Sequence, residues 1–305
     1  MTQITAAMVK ELREKSGAGM MDAKKALEEV NGNMEEAVDL LRTKGMAKAD
    51  KKSSRTAAEG LVAIVSNGTN GAIVEVNSET DFVARNEKFQ GFVRQVADVA
   101  LKVNSTEELM AADLDGKSTQ DTITNLVATI GENMSVRRME KLSVTDGAVV
   151  GYVHNAVSDG LGKIGVLVAL ESSGDKAALA ALGKQLAMHV AAAFPKYLKR
   201  DDVDASEMER EKNVIREQAL SEGKPAEIVE KMLEGRMRKF YEEICLMDQT
   251  FVMDGETKIS AFVENAAKEV GAPVTLKAYS RYQLGEGIEK EVEDFAAEVN
   301  KVANG

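Results

Sequence analysis

The chain has 305 residues, of which 44% are hydrophobic, so it can bury a sizeable core in one large domain or in several small ones. Its formal net charge of −11 argues against a large nucleic-acid footprint, and an aromatic content of 4% without Trp argues against stacking platforms for single strands. Cys245 is the single cysteine, no apolar run approaches the roughly 20 residues of a membrane span, and the amino-terminal segment lacks the apolar core of a secretory signal. We therefore expect a protein of the reducing cytoplasm, with neither nucleic acid nor a membrane as its direct partner.

Three short amphipathic patterns open the chain and predict three helices. Their apolar positions are Met8, Val9 and Leu12; Ala23, Ala26, Leu27 and Val30; and Met34, Ala37, Val38 and Leu41. The segments SGAG and NGN separate the patterns, and Thr5 and Asp22 are the expected N-cap residues. We predict a compact three-helix module over residues 1–45. The polar, basic segment 46–58 has no apolar periodicity and is interpreted as a linker.

A first α+β unit is predicted over residues 59–145. Two apolar runs flank the segment NGTNG, whose Gly and Asn residues tolerate the positive φ of a hairpin turn, so two antiparallel strands are expected. Helical patterns follow over about residues 87–103 and 119–130, and a third strand ends the unit.

A second α+β unit repeats this order over residues 146–200 and 248–305. The runs GAVVGYVHN and KIGVLVALES predict its first two strands, a helix follows over about residues 175–193, and a third strand begins near Val274. A last amphipathic pattern predicts a C-terminal helix through Val292, Phe295, Ala296 and Val299. The predicted class is α+β, with two repeated units that each contain a small antiparallel sheet.

An insertion over residues 201–247 interrupts the second unit. Two amphipathic patterns separated by the segment SEGKPAE predict an antiparallel helical hairpin. A lone hairpin cannot cover its own apolar stripe, so we expect it to pack on a partner, for which a second copy of the chain is one candidate.

The segment NSETDFVARN, residues 77–86, places a bulky apolar side chain directly after a buried strand. Phe82 either folds back into the core or is presented to another molecule beside the carboxylate of Asp81. The corresponding segment of the second unit, ESSGDKAAL, has no aromatic residue. Because closing such a unit does not require an aromatic residue there, the comparison favours presentation.

Catalytic chemistry has little support. Gly160, Gly162 and Gly165 match a dinucleotide-binding spacing, but an apolar strand follows them instead of a helix, so a hairpin turn is the better interpretation. His189 shares a helix face with apolar residues and is interpreted as a packing residue, while no nucleophile or metal-ligand cluster accompanies His154. We predict no catalytic residue, cofactor or metal site.

Contact surfaces have more support. Met20 and Met21 are adjacent at the GAGMM turn, where they are either exposed or packed as a hydrophobic staple. Val252 and Met253 follow Phe251 in a connecting segment. These residues either pack into the protein's own core or contact another molecule.

Two long segments, LREKSGAGMMDAKKAL from Leu12 and EVNSETDFVAR from Glu75, resemble the signature segments of the bacterial elongation factor Ts family. Members of that family are guanine nucleotide exchange factors for elongation factor Tu. Further similar segments, among them IGENMSVRR, KIGVLVAL and AMHVAAAFP, extend the resemblance over essentially the whole chain. The resemblance implies a ubiquitin-associated-like first module and a hairpin of the dimerisation type.

The same resemblance implies roles for individual residues. Thr80, Asp81, Phe82 and Val83 would dislodge the magnesium ion of GDP-bound elongation factor Tu and thereby promote exchange of GDP for GTP. Further contacts to the GDP-bound or nucleotide-free partner would come from Arg13, Met20, Met21, Ile130, Gly131, Glu132, Asn133, His154, Val252 and Met253.

The residues by themselves leave other functions open. A non-catalytic helical binding module of another translation or chaperone complex would share the acidic composition and the helical hairpin. A hydrolase built on His154 would need a nucleophile or a metal site, for which the sequence offers no pattern.

Overall fold

A computed structural model describes residues 3–289. The helices in this range are α1 (Ala6–Ser16), α2 (Met20–Glu29), α3 (Met34–Lys52), α4 (Glu87–Ala100), α5 (Thr106–Ala111), α6 (Thr119–Ile130), α7 (Lys176–Ala193), α8 (Ala205–Ser221), α9 (Ala226–Ile244) and α10 (Ile259–Val270). The strands are β1 (Glu59–Asn67), β2 (Asn70–Ser78), β3 (Asp113–Leu114), β4 (Lys117–Ser118), β5 (Met134–Ser143), β6 (Gly147–Ser158), β7 (Leu161–Glu171) and β8 (Thr275–Gln283). The predicted C-terminal helix lies outside the described residues.

The mixed α+β class is confirmed, and the strands have the repeated order that the sequence predicted. In the first unit β2 lies between β1 and β5, and in the second unit β7 lies between β6 and β8, with all pairs antiparallel. The two small sheets are continuous, because β1 also pairs with β7 through Val62–Gly162 and Ala63–Leu161. The result is one six-stranded sheet.

The first three helices form the predicted module around their own core. Buried side chains from all three helices meet there, among them Leu12, Leu27 and Ala37. Thr5 caps α1 as predicted, because its side-chain oxygen accepts a hydrogen bond from the backbone amide of Met8 at 3.3 Å. The predicted cap at Asp22 is wrong: α2 already begins at Met20, and Asp22 lies in its first turn.

The expected linker is helical over most of its length, because α3 continues to Lys52 instead of ending near residue 45. Small residues explain the difference. Gly45 lies against α6, where an added Cβ would meet the Cβ of Ala128 at 3.5 Å, and Ala49 packs against the core of the first unit. A face made of Gly and Ala lets two helices approach closely but produces no periodic pattern of large apolar residues, so it escaped prediction.

One helix covers each half of the sheet. In the first unit α4 buries Phe89, Phe92 and Val93 against β1 and β2. In the second unit α7 packs on β6 and β7, so closely at Gly183 that an added Cβ would lie 2.6 Å from Val150. The short helix α5 and the β3–β4 hairpin were not predicted, because elements of two to six residues are too short to show periodicity.

The inserted hairpin consists of α8 and α9, as predicted. Ile215, Leu233 and Met237 form a small separate core between the two helices. Val214, Leu220 and Ile228 remain about half exposed. Within residues 3–289, no helix is long and apolar enough to cross a membrane.

Candidate functional site

The loop between β2 and α4 exposes an aromatic ring. Phe82 has 74% of its surface exposed, whereas the next two residues, Val83 and Ala84, are buried in the core of the first unit. Asn86 then caps α4 by accepting the backbone amide of Lys88 at 2.9 Å. The ring therefore projects from a short 3₁₀ turn that is fixed at its C-terminal side.

The side chains next to this ring differ in accessibility. Asp81 is half exposed, and its carboxylate lies 3.8 Å from the guanidinium of Arg85. Val83 points into the core, so it anchors the loop and does not offer its side chain to another molecule. The accessible combination is therefore one aromatic ring beside one carboxylate.

In the second unit, the corresponding loop packs against another helix of the same chain. It connects β7 to α7, and Gly174 lies there so close to α10 that an added Cβ would be 2.3 Å from the carbonyl oxygen of Val270. Asp175 then caps α7 at the backbone amide of Ala178. An exposed aromatic residue in this loop is thus a property of the first unit alone, as the comparison of the two segments predicted.

The turn between α6 and β5 lies directly against the Phe82 loop. One carboxylate oxygen of Glu132 accepts the backbone amide of Thr80 at 2.9 Å, and the other accepts the Thr80 hydroxyl at 2.7 Å. In the opposite direction, the Glu79 carboxylate accepts the backbone amide of Asn133. Thr80, Glu132 and Asn133, all predicted site residues, are therefore brought together, and Glu79 is an additional residue that the sequence interpretation missed.

The end of α3 meets the same turn. Lys52 donates a hydrogen bond to the carbonyl oxygen of Gly131, which ends α6 in the left-handed conformation at φ 90°. The Asn133 side-chain amide donates to the carbonyl oxygen of Arg55 at 2.7 Å, and the Arg55 guanidinium lies 3.4 Å from the Glu79 carboxylate. We call these three segments, residues 52–55, 79–82 and 131–133, the junction.

A second candidate surface lies on the three-helix module. Met20 and Met21, in the first turn of α2, are 61% and 64% exposed, which excludes the hydrophobic-staple alternative. Together with Arg13 they line a surface groove between α1 and α2 that also contains Ile4 and Val9. Lys10, Glu14 and Lys24 border the groove, so it combines apolar contact area with mostly positive charge. Thr129, next to Ile130 at the end of α6, contacts this module through the carbonyl oxygen of Gly17 at 3.4 Å.

A third candidate surface belongs to the second unit. His154 is exposed on β6, and its Nδ1 lies 3.1 Å from the Tyr152 hydroxyl. Val252 and Met253 are half exposed in the connection that follows α9. Phe251 is the residue of that connection that packs in the core, and its ring stacks on Phe262 at a centroid distance of 4.2 Å.

A buried histidine holds this connection in place. Nδ1 of His189 accepts the backbone amide of Val252 at 3.2 Å, and Nε2 lies 2.9 Å from the side-chain oxygen of Gln249. The Val252 amide can only donate, so the proton of the neutral ring is on Nε2. Burial lowers the pKa of His189 below its ordinary value, and the hydrogen bond with Gln249 only partly opposes this. His189 is the packing residue that its helix face predicted, although its hydrogen bonds could not be predicted.

The part of the chain that the structure describes contains no group of three or more His, Cys, Asp or Glu side chains arranged to hold a metal ion. Gly160 of the dinucleotide-like spacing lies in the hairpin turn between β6 and β7 at φ 71°, so that motif is a turn.

Known proteins match the chain over its whole length. A family profile described as Elongation factor TS matches residues 79–286. Elongation factor Ts of Rhizobium etli strain CIAT 652 is 59% identical over 308 residues, covering 100% of both chains. Elongation factor Ts of Paramagnetospirillum magneticum is 60% identical over 302 residues, covering 98% of this chain and 97% of the relative. A profile match over more than half of the chain and this degree of identity over its length lead to one conclusion: the chain belongs to the elongation factor Ts family and is a translation elongation factor.

Proposed function

We propose that this protein is a guanine nucleotide exchange factor that binds GDP-bound elongation factor Tu in the cytoplasm, displaces its magnesium ion and promotes exchange of GDP for GTP. It acts by protein–protein contact and not as an enzyme on a substrate of its own. The observation that carries the proposal is Phe82, an aromatic ring that is 74% exposed on an anchored loop beside the carboxylate of Asp81.

The physical basis lies in how a GTPase holds its nucleotide. A bound Mg²⁺ ion neutralises phosphate charge and bridges phosphate oxygens, so displacing the ion weakens GDP binding. In this proposal Phe82 inserts into an apolar crevice next to the metal site, and Asp81 accompanies it as a polar contact. Thr80 and Val83 hold the two residues in place, one through Glu132 and the other through the core.

Magnitudes explain why several surfaces are needed. Burial of one phenylalanine side chain contributes roughly 1.5–3 kcal/mol. A tenfold increase in release rate requires ~1.4 kcal/mol of barrier lowering. A single ring therefore accounts for only one or two powers of ten, so we assign docking energy to the Arg13–Met20–Met21 groove and to His154, Val252 and Met253.

Binding of this factor and of GDP to the partner is coupled reciprocally. If the factor weakens GDP binding, then GDP weakens binding of the factor by the same ratio. Either incoming nucleotide consequently expels the factor, and cellular nucleotide concentrations decide which one occupies the partner.

The test is stopped-flow release of a fluorescent GDP analogue from elongation factor Tu. We expect the wild-type chain to accelerate release and Phe82→Ala to lower the accelerated rate by about 10- to 150-fold, which corresponds to the burial energy of one ring. Phe194→Ala, which truncates a half-exposed aromatic residue at the end of α7 outside the candidate contact surfaces, is the matched control and should retain the wild-type rate. A wild-type rate with folded Phe82→Ala would show that insertion of the Phe82 ring does not accelerate GDP release.

We further propose that the α8–α9 hairpin supports a homodimer. The half-exposed apolar residues Val214, Leu220 and Ile228 support this, since a second copy would cover them. Sedimentation equilibrium should report a dimer that dissociates in a Val214→Lys, Ile228→Lys double variant; a monomeric wild-type chain at high concentration would contradict it.

A further inference from the structure

We propose that Glu79 and Glu132 form a reciprocal clamp that sets the presentation of Phe82 and couples it to the three-helix module. Both are positioning residues and do not themselves displace the metal. The inference rests on the proposed exchange function but concerns how the protein prepares its own surface.

The clamp is reciprocal in the sense that each loop supplies one carboxylate to the backbone of the other. Glu79, at the end of β2, accepts the amide of Asn133 in the α6–β5 turn. Glu132, in that turn, accepts both the amide and the hydroxyl of Thr80, two residues before Phe82. Hydrogen bonds to an ionised carboxylate are short and strong, so the two loops are held in one position relative to each other.

Phe82 needs such support because its own side chain has little protein around it. The buried residues Val83 and Ala84 fix the chain only on the C-terminal side of the ring. On the N-terminal side, the bonds between Glu132 and Thr80 provide the corresponding fixed point. Without them the ring would have to be ordered during insertion, and misplacement by about 1 Å is enough to slow a positioned step 10²-fold.

The junction also connects the ring to the docking module. Helix α3 runs unbroken from the module to Lys52, which donates to Gly131 in the clamp turn. Arg55 continues the connection through its ion pair with Glu79 and its carbonyl contact with Asn133. The last helix of the module and the Phe82 loop therefore meet at the same few hydrogen bonds.

The second unit offers a matched control. Glu171, at the end of β7, also accepts two backbone amides of a neighbouring turn, those of Thr145 at 3.4 Å and Asp146 at 3.2 Å. No aromatic residue follows it in the loop after β7, where Gly174 packs against the end of α10. Glu171→Ala therefore removes the same kind of contact without affecting Phe82.

The experiment measures nucleotide release from elongation factor Tu over a range of factor concentrations for the wild type, Glu79→Ala, Glu132→Ala, Thr80→Val and Glu171→Ala. Alanine is used because the amide oxygen of a glutamine side chain could still accept the same hydrogen bonds. We expect Glu79→Ala and Glu132→Ala to lower the maximal release rate by about 10-fold or more with an unchanged half-saturating concentration, since a 1 Å error can cost 10²-fold. Thr80→Val keeps the backbone bond and should have a smaller effect that is less than additive with Glu132→Ala. Glu171→Ala should match the wild type.

Amide hydrogen exchange in the free proteins gives an independent readout. Exchange should accelerate at Thr80 in Glu132→Ala and at Asn133 in Glu79→Ala, with unchanged exchange in α4 as the sign of an intact fold. Wild-type maximal rates in folded clamp variants, or a change only in half-saturating concentration, would overturn the inference. A wild-type chain that fails to accelerate release would instead overturn the proposed function, whereas the amide exchange result would stand on its own.

Discussion

The imidazole of His189 and the backbone amide of Val252 are joined by a hydrogen bond of 3.2 Å, with the histidine fully buried and the valine half exposed. A residue of the core of the second unit thus determines the path of an exposed segment. The contact links α7 to the connection that carries Val252 and Met253, and the Phe251 ring, 6.0 Å from the imidazole, closes the space between them.

This contact predicts a pH dependence of stability. Burial holds the pKa of His189 below the ordinary value of 6.5. Below about pH 6.5 the unfolded chain binds a proton that the folded chain does not, so stability falls with decreasing pH until the folded-state pKa is reached, by at most about 1.4 kcal/mol per pH unit. Urea titrations at pH 7.5, 6.5 and 5.5 should show a larger loss for the wild type than for His189→Gln. Equal losses would contradict the prediction.

Truncation of two phenylalanines separated by seven positions should lower the free energy of unfolding to very different extents. Phe82 is mostly exposed, so Phe82→Ala should change the free energy of unfolding by less than about 0.5 kcal/mol. Phe89 belongs to α4 and is fully buried, and Phe89→Ala should cost about 3–5 kcal/mol through lost burial and a cavity. Chemical denaturation monitored by circular dichroism measures both. A large loss in Phe82→Ala would mean that the ring supports the fold.

A buried carboxylate joins the two units. Glu75 is fully buried on β2 and accepts hydrogen bonds from Arg137, Arg138, Asn77 and the backbone amide of Gly285. Burial alone would raise its pKa, but the hydrogen bonds from Gly285, Asn77 and Arg138 together hold the pKa below its ordinary value.

Removal of this charge should therefore be costly. We expect Glu75→Gln to destabilise the protein by about 3 kcal/mol, because two arginines lose their shared buried partner. Glu286→Gln removes only a 3.4 Å contact to Arg138 at the surface and should cost less than about 1 kcal/mol. Denaturant midpoints at pH 7 compare the two variants. Similar midpoints would show that the buried contacts of Glu75 do not stabilise the protein more than the surface contact does.

The thiol of Cys245 should be unreactive in the folded protein. The side chain is fully buried, and burial raises its pKa to about 11, so thiolate is scarce at pH 8. A thiol reagent should label it only as fast as the protein opens, with full labelling in denaturant. Rapid labelling of the native chain at a rate proportional to reagent concentration would show that the residue is accessible.

The sequence by itself determined most of the secondary structure and the class of the fold. Strong periodicity placed α6 at residues 119–130 and α4 within residues 87–103, and alternation with turn residues located the strands of both units. It also singled out Phe82, because comparison of the two repeated segments separates what closes a unit from what projects out of it. These features depend on residues close together in the chain, whose pattern is visible without coordinates.

Only the tertiary structure decided how these parts meet. The pairing of β1 with β7, the extension of α3 on the small residues Gly45 and Ala49, and the carboxylates of Glu79 and Glu132 all depend on segments far apart in sequence. A glutamate on a helix face or in a turn looks the same in the sequence whether it contacts water or a backbone amide more than fifty positions away. Hydrogen bonds of that kind follow from the packing of whole elements, which local propensity does not encode.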